Sequence, residues 1–329
     1  MRIGLVYDLR DDYLAEGWTP EEAAEFDSVS TIDALDNALR SLGHEVERIG
    51  HGRRLCARVA AGSRWDLVFN IAEGRRGRSR EAQVPALLEL YDIPYTFSDP
   101  LVCAATLDKA VGKRLVRDAG LRTPEFAVIR ALEETSAIEL EFPLFVKPLA
   151  EGTGKWIDSA SRVDDMASLT RVCAVLLARS GQPVLVEEYL PGREFTTGIA
   201  GTGRRARAIG TMEIFIHEAA GTSDYSFEVK QDWEKLCQYP PLEVGGLRDE
   251  VEALALEAYR ALECRDLGRV DLRLDRQGRP SFVEVNPLPG LNPVYSDLPI
   301  LSRQNGWEYV DIIRAVIESA LERCNGGPH

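Results

Sequence analysis

Several scarcities exclude whole classes of protein. The 329 residues include only four histidines, none in a His-x-x-x-His arrangement, which argues against a zinc enzyme. Six cysteines, at 56, 103, 173, 237, 264 and 324, are scattered with no Cys-x-x-Cys pair. They read as buried, reduced thiols rather than as a disulfide framework. No run approaches the ~20 apolar residues of a membrane span. The apolar run after Met1-Arg2 is too short for a signal-peptide core, so the expected location is the cytoplasm, with no membrane partner. Lysine and arginine are outnumbered by acids, 39 to 53, and a net charge of −14 argues against a nucleic-acid partner. Neither the Walker A spacing nor a Gly-x-Gly-x-x-Gly turn after the first strand is present, which disfavours P-loop enzymes and dinucleotide oxidoreductases.

What is present is an ordinary globular composition, 45% hydrophobic and 28% charged, over a length that suits two or three domains. The first hundred residues alternate strand and helix. Strands are expected at 3–7, 46–49 and 66–71, a helical stripe at Ile32, Leu35, Leu39 and Leu42 ending at Gly43, and a short helix at 85–91. That order predicts an open, largely parallel sheet. Residues 10–27 are polar, acidic and aperiodic and read as a long loop. Beyond residue 106 the pattern becomes α+β. A helix is expected at 107–119, strands at 142–147 and 184–190, a polar loop at 219–235, a helix near 248–262 and a C-terminal helix from about 307.

Residues 268–290 are the most informative. Two alternating runs flank Asp275-Arg276-Gln277-Gly278-Arg279-Pro280, the pattern of a hairpin. If Asp275 and Pro280 close the turn, paired numbers sum to 555, so Asp271 faces Glu284 and Arg269 faces Asn286. Val270, Leu272, Leu274, Val283 and Val285 then share the buried face. Two facing carboxylates weaken a sheet, and a hard cation such as Mg²⁺ or Mn²⁺ relieves them through Asp, Glu and Asn oxygens. The alternative is a solvated face neutralised by Arg269 and Arg273.

Upstream, Glu151-Gly152-Thr153-Gly154-Lys155 brings two glycines close to where phosphate could sit, just after Lys147 at a strand end. A plain turn and a snorkelling lysine explain the same residues. In order, however, the chain carries Lys109, Lys147 with its glycine loop, Glu187-Glu188-Tyr189-Leu190-Pro191-Gly192-Arg193-Glu194-Phe195, Lys230, and the hairpin ending in Glu-Val-Asn-Pro. Asp92-Ile93-Pro94-Tyr95-Thr96 and Leu107-Asp108-Lys109 add to the pattern. Over roughly residues 60–315 this resembles the ATP-grasp superfamily, most closely the D-alanine–D-alanine ligase family.

The resemblance implies an N-terminal open-sheet domain (1–98) and two α+β ATP-grasp subdomains (99–191 and 192–329) that clamp ATP. It implies an ATP-dependent carboxylate–amine ligase working through an acyl phosphate on small amino acids or amines, with homodimers common in the family. Lys109, Lys147 and Thr153 would meet the phosphates. Glu187, Glu188 and Leu190 would bind adenine, and Glu194 the ribose. Lys230, on a mobile lid at 219–235, would close on the γ-phosphate. Asp271, Glu284 and Asn286 would hold two Mg²⁺ ions, and Arg269 would stabilise the tetrahedral intermediate. Glu25, Glu73, Gly290 and Ser296 would line the amino-acid sites.

Departures fall where the family reads its substrates. Glu73 stands for a histidine, Thr153 for a serine and Gln231 for a tyrosine. Arg78, with Arg80 beside it, stands where an acid is usual, and one extra residue lies between Asn286 and Ser296. Altered specificity is therefore expected. The alternatives are a true D-alanine–D-alanine ligase, a kinase that stops at the acyl phosphate, and a non-catalytic nucleotide-binding protein.

Overall fold

The computed structural model describes residues 1–217 and 233–325, and three sheets carry its architecture. The first is the expected parallel sheet, in the order β2-β1-β3, formed by β1 (Arg2–Val6), β2 (Glu45–Gly50) and β3 (Leu67–Asn70). All four residues of β3 are buried because apolar groups cover both faces, as parallel sheets require. Ile3, Leu5, Leu67 and Phe69 point to one face; Val6 and Val68 join a second cluster on the other. Helix Val29–Ser41, capped by Ser28, which accepts from the Thr31 amide, covers the first face together with the C-terminal helix Tyr309–Asn325.

The second sheet, β4-β7-β5-β6, comprises β4 (Phe126–Ile129), β5 (Leu144–Pro148), β6 (Arg162–Val163) and β7 (Val184–Glu188) and is antiparallel throughout. The third, β10-β9-β8-β11-β12, comprises β8 (Glu194–Ala200), β9 (Arg207–Ile216), β10 (Cys237–Gln238), β11 (Leu267–Leu274) and β12 (Pro280–Asn286). Helix Gly246–Ala261 covers its inner face through Val251, Leu254, Ala255 and Ala258.

Local expectations needed correction at several places. Residues 10–27 are not a plain loop: they open with helix Arg10–Ala15 and build a small core from Tyr13, Ala23 and Phe26. The helix expected at 107–119 is two helices, Pro100–Leu107 and Lys109–Asp118, because Asp108 turns outward to accept from the Val111 amide as a cap. Helices Gly52–Ala60 and Met166–Ser180 had not been read. All six cysteines are free, but Cys56 and Cys324 are exposed rather than buried. Among the described residues no helix is long and apolar enough to cross a membrane.

The residue just before β11 ties the sheets together. Asp266 is fully buried and accepts from Arg323 Nε (3.0 Å) and Nη2 (2.7 Å), Ser319 Oγ (2.9 Å), Thr202 Oγ1 (3.2 Å) and the Phe97 amide (2.8 Å). One carboxylate thus joins the end of the first region, the third sheet and the C-terminal helix. Removing it strands a buried guanidinium, so Asp266→Ala should cost about 3–5 kcal/mol in urea unfolding. The double variant Asp266→Ala/Arg323→Met should recover part of that loss; no recovery would show that the pair is not the source.

Candidate functional site

A cleft of about 940 Å³ opens between the second and third sheets. Cross-strand register builds its floor. Phe145 pairs with Glu187 and Lys147 with Leu185, so these side chains share one face of the sheet. Lys147 Nζ sits 2.7 Å from Glu187 Oε1, and Lys113 Nζ, from helix Lys109–Asp118, sits 2.9 Å from Oε2. Burial alone would raise the Glu187 pKa, but two ammonium groups outweigh it and hold the carboxyl below the usual range. Burial pushes Lys113 down to about 8 despite the pull of Glu187. Phe145, Pro148, Leu190, Ile214 and Val283 give the cleft an apolar wall, while Glu188 and Glu194 line its rim.

A second cavity, about 1300 Å³, lies beyond the glycine loop. Glu25 accepts from Arg80 Nη2 (2.7 Å) and from the Gly152 amide (2.6 Å), and Arg80 Nη1 donates to the Ala150 carbonyl (2.9 Å). Lys155 Nζ holds Glu151 at 2.8 Å. Burial raises the Glu25 pKa, and Arg80 and Lys155 more than reverse it. Gly74 makes this arrangement possible. Its φ is +76°, and a Cβ there would collide with the Arg80 carbonyl, so a side chain would push the 75–80 segment off the cavity. Glu73 and Glu81 face the same cavity. Burial, Arg80 notwithstanding, pushes Glu81 up to about 7, and burial with the nearby Glu81 raises Glu73 well above its ordinary value.

The two cavities share Lys109, Glu151, Arg269, Glu284 and Asp297, so chemistry linking their contents would occur there. Asp271 pairs with Glu284 and Arg269 with Asn286, as the sequence register required. The turn is one residue tighter than expected, with the Asp275 amide donating to the Arg279 carbonyl (2.9 Å). A bulge between Asp271 and Leu272 restores the alignment at the acids. In consequence Phe282, not Val283, joins the buried face, and Val283 lines the cleft.

Three of the five N–H groups of the Arg269 guanidinium are engaged. Nε and Nη2 donate to Asp271 (3.0 and 2.9 Å), and Nη1 donates to Asp297 (2.8 Å). Thr196 and the Asn286 amide nitrogen (3.2 Å) also donate to Asp271, while Lys109 Nζ lies 3.2 Å from Glu284. The donor set is hard oxygen, two carboxylates and one amide on one strand face. Among the described residues no three acids, histidines or cysteines gather into a cage. That suits Mg²⁺, which keeps waters and takes substrate phosphate oxygens alongside one or two carboxylates.

Fifteen of the sequence candidates line one cavity or both. Lys109, Lys147, Glu187, Glu188, Leu190, Glu194, Arg269, Asp271 and Glu284 border the first cleft; Glu25, Glu73, Asn286 and Gly290 border the second cavity, as do Ser296 and Thr153. Thr153, expected beside phosphate, thus lies on the other side of its loop from the cleft, with Gly154 on the cleft side. Arg78 does not replace an acid in the cavity: its exposed side chain pairs with Asp108 (2.7 Å), and Glu81 supplies the acid. Lys230, Gln231 and most of the expected lid fall outside the described residues. Lys113 and Glu81 were missed, and Arg80 had been read only as a cation beside Arg78. Lys113 sits four residues from Lys109 on one helix, a spacing that could have flagged it.

A family model described as "D-ala D-ala ligase C-terminus" matches residues 115–318. The chain is 35% identical to a D-alanine–D-alanine ligase of Cupriavidus metallidurans over 297 residues, 89% of this chain and 86% of that one. It is 34% identical to a D-alanine–D-alanine ligase of Bordetella pertussis over 296 residues, 89% and 90% of the two chains. A crystal structure of D-alanine–D-alanine ligase from Bacillus anthracis complexed with ATP matches at TM-score 0.75, with 23% identity, covering 99% of this chain and all of that one. That likeness establishes the ATP-grasp fold.

The raised pKa of Glu81 carries a prediction with a definite sign. An acid whose folded pKa exceeds its unfolded value stabilises fully at low pH, and that contribution is lost as pH rises through about 7. Glu81→Gln should therefore flatten the fall in stability between pH 5 and 8 by about 1–3 kcal/mol. Urea unfolding at both pH values measures it; an unchanged slope would place the titration elsewhere.

Proposed function

Because the chain belongs to the D-alanine–D-alanine ligase family, ATP-grasp enzymes that form a carbon–nitrogen bond, we propose that it couples an amino-acid carboxylate to an amine through an acyl phosphate, with a donor pocket that disfavours D-alanine. ATP lies in the 940 Å³ cleft, with adenine against the apolar wall near Glu187–Leu190, the ribose at Glu194 and the phosphates near Lys147 and Lys109. The donor carboxylate attacks the γ-phosphorus where the cavities meet, releasing ADP. The amine then attacks the acyl carbon and phosphate leaves. Arg269 stabilises the tetrahedral oxyanion, and Lys109 screens charge on the transferring phosphoryl. Asp271, Glu284 and Asn286 would hold Mg²⁺, which supplies Lewis-acid stabilisation of phosphate charge when bound.

The observation that carries altered specificity is the pair Glu73 and Glu81 facing the second cavity with Glu25 already held by Arg80. A pocket so charged penalises a small neutral donor side chain through unmatched polar groups. The names of the relatives favour a second reading, synthesis of D-alanyl-D-alanine itself. Kinetics with D-alanine as sole amino acid separate the two. The expected outcome is weak or absent product; a kcat/KM of about 10⁴ M⁻¹s⁻¹ or above would establish the second reading instead.

The metal assignment has its own check. Glu284→Ala should abolish Mg²⁺-dependent phosphate release while the apo protein still unfolds cooperatively, relief of the facing Asp271 offsetting the lost Lys109 partner (3.2 Å). Full turnover in that variant would remove both the metal role and the paired-acid argument behind it.

A further inference from the structure

Among the acids around the second cavity, pairing is complete except at one place; Arg10, which also borders it, donates to the Ala24 carbonyl (3.1 Å) and forms no ion pair with a described acid. Glu25 is held by Arg80 and the Gly152 amide, and Glu151 by Lys155 (2.8 Å) and Gln182 (2.7 Å). Glu284 lies against Lys109, and Asp297 against Arg269. Glu73 and Glu81 accept no hydrogen bond from a described residue and have none of the described cations within ion-pair distance, yet both border the cavity. Glu81 is 8% exposed, so the little surface it retains opens onto the cavity rather than onto bulk water. A nine-tenths buried carboxylate without a partner is costly, and a second acid beside it raises the cost.

Resting on the ligase reading above, we infer that the amino-acid cavity takes a diamino acid, whose side-chain ammonium is held between Glu73 and Glu81. An ammonium offers three donors to acceptor-only carboxylates, and its charge removes the repulsion between the two acids. A neutral side chain would leave both acids desolvated and unmatched, so the pair selects against it as well as for a cation. Gly74 and Arg80 act as positioning residues: the turn at Gly74 brings Glu73 to the cavity, and Arg80, by occupying Glu25, leaves the other two acids for the ligand.

The test is calorimetric titration of the full-length enzyme, with Mg²⁺ and a non-hydrolysable ATP analogue, using D- and L-forms of diaminopropionate, ornithine and lysine. Alanine, norvaline and norleucine are the uncharged counterparts, and glutamate the acidic one. At least one diamino acid should bind about 10- to 100-fold tighter than its uncharged counterpart. Glu73→Gln and Glu81→Gln should each draw that ratio toward one. A ratio near one in the parent enzyme overturns the inference, as does preference for glutamate, which would mean that protonated acids donate to a carboxylate. Mass analysis of parallel reactions with ATP separates the two proposals. Amide formation with a ratio near one leaves the ligase reading and removes the diamino site. A clear ratio with no amide from any pair supports the cation site and removes the ligase reading.

Discussion

Burying charge in a protein interior is tolerable only when each charge meets its opposite, and this molecule is arranged around that requirement. Glu187 lies between Lys113 and Lys147, Glu25 between Arg80 and a backbone amide, Asp271 inside the fork of Arg269, and Asp266 inside that of Arg323. Apart from Arg269 and Asp271, two residues apart on β11, these pairs join chain segments distant in sequence, so satisfying the charges also fixes how the sheets meet. The cleft is the outcome. Its walls are held by ion pairs whose cations are the groups that a phosphate would recruit.

The same requirement explains how the cleft can hold a polyanion in a chain with a net charge of −14. Lys147, Lys109 and Arg269 are buried or nearly so and each is already paired with a carboxylate. Incoming phosphate competes for these cations, and a divalent ion offsets the carboxylates thereby released. On the proposed reading, nucleotide and metal would favour each other's binding through charge balance.

How much of this was legible depended on periodicity. The hairpin could be read because strand alternation has a period of two and its two polar faces were unbroken, so the pairing of Asp271 with Glu284 followed from counting. The count survived although its premise was one residue out: the tighter turn at Asp275 and Arg279 is compensated by the bulge, and only Val283 and Phe282 exchange faces. Helices with a clear stripe, such as Val29–Ser41, were equally plain. Residues 10–27 and 75–82 carry no period, and what orders them is long-range: Arg80 meeting Glu25 and Tyr13 packing on Phe26. No local rule announces such partners, so Arg78 looked like the substituted acid when Glu81 was the residue that reaches the cavity. Lys113 was obscure for the same reason, since a lysine on a helix reads as solvated until Glu187 is seen beneath it.

The glycine loop shows why the two cavities cannot be considered separately. Glu151 borders both, Gly152 donates to Glu25 on one side, and Lys155 lines the cleft on the other while holding Glu151. Thr153 and Gly154 both have positive φ, 52° and 71°, so the backbone reverses tightly there and presents its two flanks to different ligands. A ligand that displaced Lys155 from Glu151 would free that carboxylate toward Arg80, 3.8 Å away, and weaken the hold of Arg80 on Glu25. The loop thus places charged groups of both cavities within 4 Å of one another.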